Sequence, residues 1–136
     1  MRRIDNIFVH CTATPQTWTI EDLKEEFKRK GWKHAGYHIA ITADGAQHQL
    51  EPFEQVANGV RGYNQNSIHV AYFGGMDGTD NRTEAQRVTI RNVLKTLKKM
   101  FPDAEIKGHR DVWGKNPCDW HNLCPGFDAE KEYGKI

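Results

Sequence analysis

Polar and apolar positions divide the chain into a short series of elements. Ile4 to His10 carries Ile7, Phe8 and Val9 in a row and reads as a short buried strand, broken by Thr12-Ala13-Thr14-Pro15. Ile20, Leu23 and Phe27 then fall at helical spacing. Thr19 with Asp22 forms a capping box before them, and Lys28, Arg29 and Lys30 suit the negative end of a helix over about residues 20–30, with Gly31 at its C-terminal cap. The segments 37–42 and 46–50 flank Asp44-Gly45, a pair that tolerates positive φ and signals a hairpin. Residues 51–66, with Pro52, Gly59, Gly62 and three asparagines, read as a long surface loop. Ser67 to Phe73 is a further strand, ended by Gly74-Gly75. Thr83 and Gln86 make a second capping box, opening a helix whose stripe is Ile90, Leu94, Leu97 and Phe101 and which stops at Pro102. Glu105 to Gly108 reads as the last strand, and residues 110–128 as an extended loop.

Strands alternating with two well-signalled helices predict an α/β fold, a central mixed sheet with helices packed on its faces. The sequence shows no repeat or linker, so residues 1–136 are expected to form a single domain. A chain of this length buries a core without disulfide staples, and three cysteines are no disulfide framework. Composition narrows the partners. A net charge of +1 with interspersed signs offers no footprint for nucleic acid or a membrane surface. No apolar run reaches the length of a membrane span, and no signal-peptide region follows Met1-Arg2-Arg3. The expectation is synthesis as a cytoplasmic protein, working as a monomer.

The chemistry concentrates near the end of the chain, in Gly108-His109-Arg110-Asp111 and Leu123-Cys124-Pro125-Gly126-Phe127-Asp128. Imidazole and thiolate are common zinc ligands, and His10, closing the first strand, is a third candidate. Three protein ligands with an open fourth position describe a catalytic zinc; four describe a structural one. A strand histidine is otherwise an ordinary core or rim residue, and Cys11, following His10, is expected to face the core. A local alternative stays open. Cys118, His121 and Cys124 recur at intervals of three, and with His109 they compose a closed two-cysteine, two-histidine site, although the spacing matches no common zinc finger.

Six blocks carry a family resemblance: Phe8-Val9-His10-Cys11-Thr12-Ala13-Thr14, Gly36-Tyr37-His38, Gly62-Tyr63-Asn64-Gln65-Asn66-Ser67-Ile68, Gly74-Gly75, Gly108-His109-Arg110-Asp111-Val112 and Cys124-Pro125-Gly126-Phe127-Asp128. Together they resemble the type-2 N-acetylmuramoyl-L-alanine amidases, zinc hydrolases related to peptidoglycan recognition proteins and to the small lysozymes of some phages. The resemblance runs from about residue 4 to residue 130. It implies one zinc per chain on His10, His109 and Cys124, favours Cys124 over Cys118, and makes Tyr37 a catalytic partner beside the metal. The implied reaction is cleavage of the amide joining the lactyl group of N-acetylmuramic acid to L-alanine in peptidoglycan or muropeptides. Asn64, Asn66 and Ser67 are candidate hydrogen-bonding contacts to that substrate, with Trp32 and Tyr63 as stacking surfaces. An endolysin made without a signal sequence would reach the wall by holin-type release or lysis. A wall-recycling role and a non-catalytic peptidoglycan-binding module are the other readings the resemblance allows.

Two departures stand out. Many members carry a lysine two residues before the last ligand, where this chain has Asn122, and many place a histidine in the loop occupied here by Asn58-Gly59-Val60-Arg61. The segment between His109 and Cys124 is also longer than in the compact phage lysozymes. It brings Lys115 and His121, accessory candidates along with Asn122, and Trp113.

Overall fold

In the computed structural model, which describes residues 1–136, Asn6–Cys11 forms strand β1, and its alternation defines the two faces of the sheet. Ile7, Val9 and Cys11 enter the main core, whereas Phe8 and His10 project from the other face. β1 pairs in parallel with β4 (Ser67–Tyr72) on one side and β5 (Glu105–Gly108) on the other. β2 (Ile39–Ile41) adds parallel to β4, and β3 (Gln47–Gln49) closes the sheet antiparallel, giving the order β3-β2-β4-β1-β5. The expected mixed sheet is present.

Helix α1 (Ile20–Arg29) starts at the Thr19–Asp22 capping box and buries Leu23 and Phe27 against Ala40 and Phe73, on the Phe8/His10 side. Helix α2 (Glu84–Met100) starts at the Thr83–Gln86 box and buries Ile90, Val93, Leu94 and Leu97 against the opposite side. Each such side chain contributes about 1.5–3 kcal/mol on burial. A short helix α3 (Ala129–Tyr133), capped by Asp128, adds Ala129 and Tyr133 to that core and was not foreseen from sequence.

Three expectations are corrected. The strand over 4–10 begins at Asn6 and runs on to Cys11. In the hairpin only Gly45 has positive φ, at 86°, while the Asp44 carboxylate accepts from Thr42 Oγ1 and the Ala46 N–H. Residues 110–128 are not extended. They contain 3₁₀ turns at His109–Trp113 and Pro117–Asp119, the first pinned where Asp111 accepts the Gly108 N–H at 2.7 Å. The long loop over 51–66 is tied down as well: Ala57 and Val60 are buried, and the Arg2 guanidinium donates to the carbonyls of Phe53, Gln55, Asn64, Gln65 and Ser67.

Candidate metal centre and cleft

Parallel pairing puts the C-terminal ends of β1 and β5 side by side, and the C-terminal edge of an α/β sheet is where such folds gather their sites. His10 sits at the end of β1, and His109 is the first residue past β5. Their ring centroids are 5.0 Å apart. Cys124 is brought in by two backbone contacts: the Arg110 N–H donates to the Cys124 carbonyl at 3.0 Å, and the Cys11 N–H donates to Cys124 Sγ at 3.2 Å. One ligand atom from each of His10, His109 and Cys124 lies within 4.8 Å of the others. Zinc–nitrogen and zinc–sulfur bond lengths in a tetrahedron put donors roughly 3.5 Å apart, and His10 Nδ1 is 3.8 Å from Cys124 Sγ. Two imidazoles and a thiol in this spacing fit a zinc ion with a free fourth position.

Electrostatics favour that use. Burial, then the neighbouring His69, His109 and His38, push His10 well below its ordinary value, and burial lowers His109 too. Both imidazoles are therefore neutral and carry a lone pair. Burial, then the Cys11 thiol, pushes Cys124 up. A bound metal reverses that preference, because it takes the thiolate and releases the proton.

His10, His109 and Cys124 line a cleft of about 600 Å³ whose walls include Trp32, Tyr37, Asn58, Asn122 and Leu123. Tyr37 Oη donates to the Cys11 carbonyl at 3.3 Å, and its ring centroid is 5.1 Å from that of His10. Burial, followed by the Cys124 and Cys11 thiols, holds the phenol well above its ordinary value, so it remains a proton donor at neutral pH. Trp32 stacks on Phe27 with centroids 5.6 Å apart, and Lys30 Nζ sits 4.7 Å over its ring.

The remaining sequence-derived candidates divide clearly. Asn122 is on the cleft wall, where its Oδ1 accepts the Cys124 N–H at 3.2 Å. Lys115 lies outside it, drawn to Asp111 at 2.9 Å and Asp128 at 3.5 Å. His121 stacks on Trp113 at 4.6 Å, and Trp113 stacks on His109 at 5.4 Å, so His121 meets the centre only through the indole. The loop candidates are engaged within the protein, away from the cleft. Asn64 Oδ1 accepts from the Val60 N–H, Asn66 donates to Asp5, and Ser67, fully buried, donates to the Tyr63 carbonyl. Tyr63 is half exposed and sets its ring edge-on to Phe8 at 6.0 Å. Cys118 is exposed; His10, rather than Cys118 or His121, joins His109 and Cys124.

Sequence reasoning missed His69 and Gly59. His69 is fully buried, and its Nδ1 lies 2.9 Å from His10 Nε2. A Cβ on residue 59 would collide with its ring at Nδ1. Only the pairing register, which sets Phe8 opposite His69, could have revealed this neighbour.

Comparison with known proteins places the chain in a family. The family model described as N-acetylmuramoyl-L-alanine amidase matches residues 1–127. The endolysin of Escherichia phage T7 is 34% identical over 137 residues, covering 96% of this chain and 86% of its own. The endolysin of Klebsiella phage KP32 is 33% identical over 135 residues, covering 95% and 85%. Among solved structures, the Ph2119 endolysin from Thermus scotoductus MAT2119 bacteriophage Ph2119 superimposes with a TM-score of 0.79 at 22% identity, covering 99% of this chain and 85% of its own. Drosophila PGRP-LB gives a TM-score of 0.76 at 17% identity, covering 97% and 80%. At those identities the structural matches establish the shared fold.

Proposed function

Because the chain belongs to the N-acetylmuramoyl-L-alanine amidase family, we propose that it hydrolyses its amide with one zinc ion held by His10, His109 and Cys124. The activity is that of a peptidoglycan amidase of the phage-lysis type, cutting between the lactyl group of N-acetylmuramic acid and L-alanine. The observation that carries the metal reading is the convergence of two neutral imidazoles and a thiol in the lining of an open cleft.

Zinc bound there supplies Lewis acidity, lowering the pKa of water and polarising a carbonyl oxygen. The protein's own groups do the rest. Tyr37, kept protonated, lines the cleft beside His10, and its hydroxyl leaves the Cys11 carbonyl to donate to the substrate oxygen as negative charge develops on it. Asn122 offers a neutral amide on the cleft wall in place of a charge. Trp32 gives the cleft an aromatic wall for the glycan or the stem peptide. The cleft binds a peptidoglycan strand or muropeptide, and residues 1–136 act as one amidase domain. No helix is long and apolar enough to cross a membrane, and the enzyme meets the cell wall after release, as an endolysin does.

Digestion of purified peptidoglycan tests this reading. New L-alanine amino termini are expected, with no new reducing sugar ends. Reducing ends would mean a glycosidase, which works with paired carboxylates. Cleavage within the stem peptide would mean an endopeptidase.

A further inference from the structure

One buried titratable side chain touches the metal centre without being a ligand. Parallel pairing of β1 with β4 sets His69 opposite Phe8, on the same face as His10. Its ring lies between Phe8 (centroids 5.7 Å, planes 10° apart) and His38 (5.8 Å, 7°), both nearly parallel to it. Gly59 closes the edge of this slot, where any larger residue would collide with the imidazole. His69 is thus held in one orientation, with Nδ1 turned to His10 Nε2 at 2.9 Å.

We propose that His69 is a positioning residue: by accepting a hydrogen bond from His10 Nε2–H, it fixes the tautomer that presents His10 Nδ1 to the metal. The inference rests on the zinc reading above. His10 Nδ1 is the ring nitrogen that faces Cys124 Sγ, so it must carry the lone pair and leave the proton on Nε2. His69 Nδ1 is then the acceptor, and its own proton sits on Nε2. Reversing that one bond would put the His10 proton on Nδ1, between the ring and the sulfur, where it blocks coordination. His38 takes no part in the choice. Its Nδ1 accepts the His69 backbone N–H at 3.0 Å, which leaves its Nε2–H to donate to the Gln55 carbonyl at 2.7 Å. His69 Nε2 has no partner in the protein. A position filled for packing alone would not retain a buried, unpartnered ring nitrogen, because an apolar side chain avoids the cost. The acceptor on the far side of the ring explains why an imidazole is there, and partners of this kind fix ligand tautomer and orientation.

Long-range nitrogen–proton NMR of the histidines in the zinc-loaded protein reads the tautomers directly. His10 and His69 are both expected to be protonated on Nε2; a proton on His69 Nδ1 would overturn the proposal. A chelator competition then measures zinc affinity in wild type, His69→Leu and His69→Asn, whose Oδ1 can stand where Nδ1 accepts. His69→Leu should weaken binding by about 10–100-fold, and His69→Asn should recover most of it. Wild-type affinity in a folded His69→Leu variant, or equal losses in both folded variants, would also overturn it. Failure of the wild type itself to bind zinc would instead remove the metal reading on which this one stands.

Discussion

The backbone N–H of Cys11 donates to Sγ of Cys124 over 3.2 Å, a contact between residues 113 apart in sequence. The residue that follows one proposed ligand therefore grips another, and the fold brings the two together. Cys124→Ser keeps an acceptor for that N–H but exchanges a soft thiolate for a hydroxyl, a poor zinc ligand. The variant should fold, as circular dichroism would show, and should retain little zinc on metal analysis.

Tyr37→Phe removes only a hydroxyl from the cleft wall. Losing a donor to developing negative charge costs about 10²–10³ in rate at its strongest, so turnover should fall by at least about tenfold with zinc retained. Steady-state kinetics with metal analysis check this. Full turnover in Tyr37→Phe, with His121→Ala inactive and still metal-bound, would transfer the role to the histidine.

Asn122→Lys should hold or raise turnover, because it adds a charged donor on the cleft wall. It gives up the bond from the Cys124 N–H to Asn122 Oδ1, worth about 0.5–1.5 kcal/mol of stability. A kcat comparison beside a thermal melt separates the two effects; a fall in kcat with zinc retained would count against the cleft-wall assignment.

Acid should destabilise the protein through its buried histidines. Burial pushes His38 down from 6.5 to about 4, so between those values the unfolded chain binds a proton that the folded chain refuses. Stability is complete above the higher value and falls as pH drops towards the lower, by about 3 kcal/mol in all from this residue. His69, lowered by burial in the same way, adds to the trend. Denaturant unfolding at pH 7 and pH 4.5 should show the loss, and His38→Asn should remove the His38 share of it.

Much of this was legible in the sequence because it is written locally. Both capping boxes, the stripe of Ile90, Leu94 and Leu97, and the strand Glu105–Gly108 rest on spacings within a few residues. His10 and His109 were readable as site residues because each stands at the C-terminal end of a strand. What escaped depends on pairing between distant segments. Lys115 looked available until Asp111 and Asp128 were placed beside it, and Asn64, Asn66 and Ser67 until their bonds to Val60, Asp5 and Tyr63 were known. His69 looked like any strand histidine, since only the β1–β4 register sets it against His10. Helix α3 is too short for its periodicity to register.

Metal content of two variants tests the central claim most directly. Zinc on His10, His109 and Cys124 predicts about one ion per wild-type chain, lost or much weakened in His10→Ala and unchanged in Cys118→Ala. Zinc retained by His10→Ala but lost by Cys118→Ala would contradict the account, placing the ion in a closed site of Cys118, His121, Cys124 and His109.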